Sequence, residues 1–163
     1  VTGYRFILTY LIKREMLDYG DENVFKFETL SQMNEFISKY ENKNILSTLG
    51  SNNLEEIKAM SKKNNLFVRI LPTTASIQKA ENLGYLPKNI IAIQGPVDKN
   101  LNLAMLKSFK IDFLITKESG KTGGEKEKID ACKEFGTAVL VLKRPFVNYR
   151  NVYSDIDKLI NHI

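Results

Sequence analysis

The sequence predicts an α/β protein: an open, doubly wound, mainly parallel sheet with helices on both faces, in one domain. Three observations predict it. Short β-rich apolar runs alternate with longer segments of helical period. Several runs are nearly continuous in apolar residues, such as Phe113-Leu114-Ile115 and Val139-Leu140-Val141-Leu142. Such runs mark strands buried on both faces, as in a parallel sheet covered by helices. The connections between runs and periodic segments are a few residues long, as in βα units.

Taken in order, the strands are expected at Val24–Phe27, Asn44–Leu49, Leu66–Leu71, Ile90–Gln94, Asp112–Thr116 and Ala138–Lys143. The first helix carries Leu30, Met33, Phe36, Ile37 and Tyr40 at helical spacing, with Thr29 or Ser31 as N-cap. Leu54, Ile57 and Met60 form a second stripe after Asn52-Asn53. Thr74–Leu83 is a third helix, stopped by Gly84. Leu101–Phe109 and Thr122–Phe135 are two more, the latter ended by Gly136, and Val152, Ile156, Leu159, Ile160 and Ile163 form a last amphipathic stripe. The alternation is that of flavodoxin-like and Rossmann-like sheets. Residues 1–20 do not fit the repeat and are expected to be an added strand or a connection from a preceding domain. Residues 21–163 form the α/β domain.

Composition narrows the function. Across 163 residues, 24 Lys+Arg stand against 19 Asp+Glu, a net charge of +5, with 43% hydrophobic and 26% charged residues. This is ordinary usage for a folded domain, not a disordered chain. The basic residues are interleaved with acids, as in Glu125-Lys126-Glu127-Lys128, so the charge reads as a mixed solvated surface with room for one basic cleft. No Lys/Arg block and no aromatic pattern for nucleic acid is present, and no apolar run has membrane-spanning length. One cysteine, Cys132, and one histidine, His162, exclude a disulfide framework, a Cys-rich or multi-His metal site and a Ser-His-Asp triad within this sequence. No secretory signal pattern opens the sequence, so the cytoplasm is the expected compartment.

In open parallel sheets ligands bind beyond the carboxyl ends of strands, where glycines admit close approach and helix N-termini offer N–H groups. Three strand ends are rich in such residues: Ser47-Thr48-Leu49-Gly50-Ser51-Asn52-Asn53; Gln94-Gly95-Pro96, with Asn102 following; and Thr116-Lys117-Glu118-Ser119-Gly120-Lys121-Thr122-Gly123-Gly124. The last combines three glycines, hydroxyls and two lysines before a helix, the composition of a phosphate or carboxylate cradle. It is not a P-loop, because Ile115 stands where the first glycine belongs. Nor does it fit G-x-G-x-x-G, since Thr122 replaces the second glycine. Cys132 falls among core helix positions, His162 sits in a terminal turn, and Asp112 opens a strand rather than closing one, which excludes it as a phospho-acceptor. Arg144 follows a buried strand, which would put its guanidinium on the ligand edge or leave it in solvent.

Together these segments resemble the precorrin-6A reductase family of cobalamin biosynthesis, including its cobalt-precorrin-6A form. The matching pieces are Ile91-Ala92-Ile93-Gln94-Gly95-Pro96, Leu101-Asn102, Thr116-Lys117-Glu118-Ser119-Gly120 with Gly123-Gly124, Lys128 with Ala131, and Lys143-Arg144-Pro145. Thr48-Leu49-Gly50-Ser51 and Leu71-Pro72 match weaker positions, and the likeness runs from about Tyr10 to Phe146. It implies two α/β domains with a dinucleotide in the cleft between them, and reduction of one macrocycle double bond by hydride from NADPH or NADH. This chain would be the C-terminal half, inactive when isolated, its partners being the missing N-terminal domain and the precorrin-6A or cobalt-precorrin-6A macrocycle. The resemblance implies that Thr48, Gly50, Ser51, Thr116, Lys117, Ser119, Gly120, Gly123 and Gly124 bind the cofactor. Gln94, Gly95, Asn102, Lys128 and Arg144 would meet the substrate, and no metal is involved. The chain departs from the family at Val97-Asp98, where Phe-Ser is common, adding a negative charge beside the cleft. Two other classes compete: a non-enzymatic flavodoxin-like nucleotide- or anion-binding module, and an interaction domain using the first twenty residues as its contact surface.

Overall fold

The computed structural model describes residues 23–119 and 123–145 of the 163. The expectations for residues 1–20, the terminal helical stripe, His162, Gly120, Lys121 and Thr122 lie outside the described residues. Among the described residues six strands form one sheet: β1 (Val24–Phe27), β2 (Asn44–Ser47), β3 (Asn65–Ile70), β4 (Ile90–Ala92), β5 (Phe113–Lys117) and β6 (Ala138–Leu142). Five α-helices connect them: α1 (Leu30–Ile37), α2 (Leu54–Ile57), α3 (Thr74–Asn82), α4 (Lys99–Ser108) and α5 (Glu125–Phe135). The strand order is β1-β6-β5-β2-β3-β4, and every described pairing is parallel.

The pleat sorts the apolar runs onto two cores. Ile45, Leu66, Val68, Ile70, Phe113, Ile115 and Leu140 face Leu30, Met33 and Ile37 of α1, Leu54 and Ile57 of α2, and Ala80 of α3. Leu46, Phe67, Leu114, Val139 and Val141 face Leu106 of α4 and Ile129, Ala131 and Cys132 of α5. The doubly wound sheet with helices on both faces is therefore observed. Cys132 is fully buried in the second core, and desolvation pushes its thiol up to about 12.

Capping follows the sequence. Thr29 caps α1: its hydroxyl accepts the Gln32 N–H, and the Gln32 side chain accepts the Thr29 N–H. Gly84 and Gly136 take left-handed φ values of 74° and 84° after α3 and α5. Several boundaries move: β2 ends at Ser47 and β4 at Ala92, earlier than expected, and α4 begins at Lys99. The Leu54–Met60 stripe is one α-helical turn between 3₁₀ turns at Ser51–Asn53 and Lys58–Lys62, although Met60 is still buried. Helix α5 starts at Glu125 rather than Thr122, because Gly124 at φ 62° cannot belong to a right-handed helix. Asp112, at the start of β5, accepts the Asn44 N–H at 2.8 Å and so ties the amino ends of β5 and β2 together.

The order places β2 beside β5, although the chain leaves β2 toward β3 and leaves β5 toward β6 on the other side. This is the switch point of the sheet, where the loops diverge and open a crevice.

Candidate functional site

A cleft of about 330 Å³ opens at that switch point, above the carboxyl ends of β2, β3 and β5. Thr48, Gly50, Arg69, Gly95, Pro96, Val97, Lys117, Ser119, Gly123 and Lys128 are among the residues lining it. Among the described residues, three that line the cleft are cations and none is an Asp or Glu. Of the fourteen residues proposed from sequence, seven are brought to this cleft: Thr48, Gly50, Gly95, Lys117, Ser119, Gly123 and Lys128.

The walls are built from short bonds. At the end of β2, the Thr48 N–H and hydroxyl both donate to the Ile115 carbonyl, at 2.8 and 2.9 Å, which closes β2 onto β5. Thr116 and Lys117 end β5 and point to opposite faces by the pleat. Thr116 is fully buried and Lys117 is exposed. Lys128 of α5 is only 6% exposed, and its Nζ donates to Thr116 Oγ1 at 3.1 Å. Burial lowers the Lys128 proton affinity to about 8, helped by the charges of Arg69 and Lys117 and opposed by Glu125 and Glu127.

Arg69 is the cleft residue that sequence reasoning missed. It lies in β3 on the α4 and α5 face, and burial brings its guanidinium down to about 10. Its Nη1 donates to Asn102 Oδ1 at 2.7 Å. Asn102 is 2% exposed, and its amide donates to the Val97 and Asp98 carbonyls at 3.0 and 2.8 Å. Asn102 thus sits behind Arg69 rather than on the cleft wall. The signal for Arg69 was a guanidinium near the carboxyl end of an apolar strand, the rule that found Lys117.

The glycines divide into two kinds. A Cβ at Gly50 or Gly95 would meet nothing within 4 Å, so there the backbone is open to a ligand. At Gly123 a Cβ would collide with the Ser119 side chain, and at Gly124 it would come 3.2 Å from Pro96 Cβ. Gly123 and Gly124 therefore serve close packing of the loop on Ser119 and Pro96. Inside the same turn, Glu125 accepts the Ser119 N–H at 2.8 Å, while Ser119 Oγ is buried without a hydrogen-bond partner among the described residues.

The other proposed residues stand apart. Ser51 accepts from Ser76 at 3.3 Å beside α3. Gln94 is exposed, with only a 3.5 Å contact to the Gly95 carbonyl. Arg144 is exposed at the end of β6, its N–H donating to Glu118 at 3.1 Å, and it does not line the cleft. The departure at Asp98 has a structural use: its carboxylate accepts the Leu101 N–H at 2.7 Å and caps α4, a role serine also fills.

No cluster of His, Cys, Asp and Glu suited to a metal ion occurs among the described residues. No helix among them is long and apolar enough to cross a membrane.

A doubly wound parallel sheet whose switch-point cleft is lined, among the described residues, by three cations and no carboxylate defines an α/β protein suited to an anionic ligand at its strand ends. Residues 6–163 match the family model described as precorrin-6x reductase CbiJ/CobK, and the chain belongs to that family. It is 37% identical over 121 residues to a cobalt-precorrin-6A reductase of Methanothermobacter thermautotrophicus, covering 73% of this chain and 40% of that protein. It is 34% identical over 143 residues to the cobalt-precorrin-6A reductase of Methanococcus maripaludis, covering 87% of this chain and 56% of that one. The solved structure of a CobK precorrin-6A reductase shares the fold, with a TM-score of 0.68 at 16% identity over 94% of this chain and 59% of that chain. The chain thus spans 40% and 56% of the lengths of these two curated relatives.

Proposed function

We propose that this chain is the C-terminal, ligand-binding part of a reductase that uses NADPH or NADH to reduce a double bond of precorrin-6A or its cobalt complex in corrin ring synthesis. The observation that carries the reading is the cleft lined, among the described residues, by three cations and no carboxylate, in a chain of the precorrin-6x reductase family. The residues present fit a dinucleotide phosphate or an acidic macrocycle: Lys117 and Lys128 supply charge, and Gly50 and Gly95 leave open backbone. Ser119 Oγ is a buried hydroxyl without a hydrogen-bond partner among the described residues.

A reduced nicotinamide supplies the hydride in such a reaction. The work of this chain is to hold donor and acceptor in register and to exclude water. Thr48, Gly50, Lys117 and Ser119 line the side formed by β2 and β5, the cofactor side in this reading. Gly95 and Lys128 line the substrate side. Thr116 acts on that side through Lys128, and the length of the relatives that this chain does not match would supply the facing wall.

The test is anaerobic turnover by the full-length protein with cobalt-precorrin-6A and with precorrin-6A, followed as NADPH or NADH oxidation. Coupled loss of reduced nicotinamide and of the macrocycle substrate is expected. Absence of both with either macrocycle and either nucleotide overturns the reading.

A further inference from the structure

Among the described residues Arg69 and Lys128 are cations without an ion pair, and both line one cleft. Arg69 reaches it from β3 and Lys128 from α5, on the same face of the sheet. They are close enough for the Arg69 charge to weaken proton binding at Lys128. Glu125 and Glu127 offset part of this at Lys128; two partly desolvated like charges still repel, and a shared anion relieves that repulsion. Each has one neutral partner on the protein side. Lys128 Nζ donates to Thr116 Oγ1, and Arg69 Nη1 donates to Asn102 Oδ1.

Asn102 has no freedom to do otherwise. Its amide nitrogen is spent on the Val97 and Asp98 carbonyls, so its oxygen must face Arg69. Those carbonyls belong to the segment that enters α4, so the entry of that helix sets the guanidinium orientation. A guanidinium carries five N–H donors in a fixed fork, and one bond to Asn102 leaves the rest for an oxyanion.

We propose that Arg69 and Lys128 form a two-point site for one oxyanion group of the ligand, a phosphate or a carboxylate, and that Asn102 is the positioning residue that presents Arg69 to it. The inference rests on reading this cleft as the ligand site, but not on which reaction that ligand undergoes.

The experiment measures binding of two simple probes, inorganic pyrophosphate and tricarballylate, to the full-length protein by titration calorimetry, with macrocycle reduction assayed separately. Arg69→Met and Lys128→Met should each weaken the bound probe about 10- to 100-fold, the range of a hydrogen bond to a charged group. Asn102→Ala should weaken it less. Arg69→Lys, which keeps charge but loses the fork, should fall between wild type and Arg69→Met, and it replaces Arg69→Met if that variant does not fold. Lys62→Ala and Lys63→Ala, exposed before β3, should change nothing.

Preference for pyrophosphate would assign the site to a phosphate-bearing ligand, and preference for tricarballylate to a carboxylate-bearing one. Either supports the proposal. A wild-type protein that reduces the macrocycle yet binds neither probe overturns the site and spares the reductase reading. Probe binding lost on Arg69 and Lys128 substitution, without macrocycle reduction, supports the site and sinks the reductase. Equal losses at Arg69, Lys128, Lys62 and Lys63 overturn the site.

Discussion

The Glu125 carboxylate accepts the backbone N–H of Ser119 at 2.8 Å, a buried bond between the end of β5 and the first turn of α5. A helix that starts on a left-handed glycine has no side-chain cap of the usual kind, and this carboxylate sits in its first turn, where negative charge is favoured. Glu125→Ala removes the acceptor from a buried donor and should cost about 1–3 kcal/mol in denaturant unfolding. Glu125→Gln keeps an acceptor oxygen and should cost less. Equal losses for the two would show that the bond to Ser119 contributes nothing.

The collision awaiting a side chain at Gly123 makes a test of packing. Gly123→Ala should destabilise by about 1–3 kcal/mol through overpacking. Ser119→Gly in the same chain removes the obstacle and should recover part of that loss. A double-mutant cycle with no coupling between the two positions would contradict the contact.

Gly95 behaves in the opposite way. It lines the cleft, a Cβ there meets nothing within 4 Å, and its φ is not in the left-handed range. Gly95→Val should leave the melting temperature within a degree or two while weakening cleft ligands. A variant that melts early, or binds as wild type does, would remove Gly95 from the ligand surface.

Lys128 costs stability at neutral pH. Its folded-state value near 8 lies below the 10.5 of a free lysine, so the penalty is complete below pH 8. It fades as the pH rises from 8 to 10.5, where the folded protein has lost a proton that the unfolded chain still holds. At 1.36 kcal/mol per unit that penalty is roughly 3 kcal/mol, part of which the bond to Thr116 offsets. Lys128→Met should therefore stabilise the protein by about 1–3 kcal/mol at pH 7 and by much less at pH 10. Urea midpoints at the two pH values decide it, and a variant less stable than wild type at pH 7 contradicts the assignment.

Much of the fold was legible because parallel strands covered on both faces advertise themselves. Phe113-Leu114-Ile115 and Val139–Leu142 can only satisfy continuous apolarity between two helical layers. Caps such as Thr29 and stops such as Gly84 and Gly136 were legible because few residues suit those backbone angles. The site was legible only in outline. The rule that ligands meet carboxyl ends of strands found the right loops, but composition cannot say which glycine is open and which is filled. Gly123 and Gly95 are alike in sequence, and their difference is made by Ser119 alone. Arg69 and Asn102 lie 33 positions apart, a pairing that no local pattern encodes.

The strand order has a consequence for how the protein is made. Strands β2, β3 and β4 are consecutive neighbours, and that part of the sheet can assemble as soon as it leaves the ribosome. Strand β1, although synthesised before them, pairs with β6, and Glu28 meets Lys143, 115 positions further along the chain. Closing so long a loop is slow, and contacts of that separation form late. The amide protons of Val24–Phe27 should accordingly exchange with solvent well before those of Leu66–Ile70, making the first of the six described strands to be synthesised the last to settle and the first to let go.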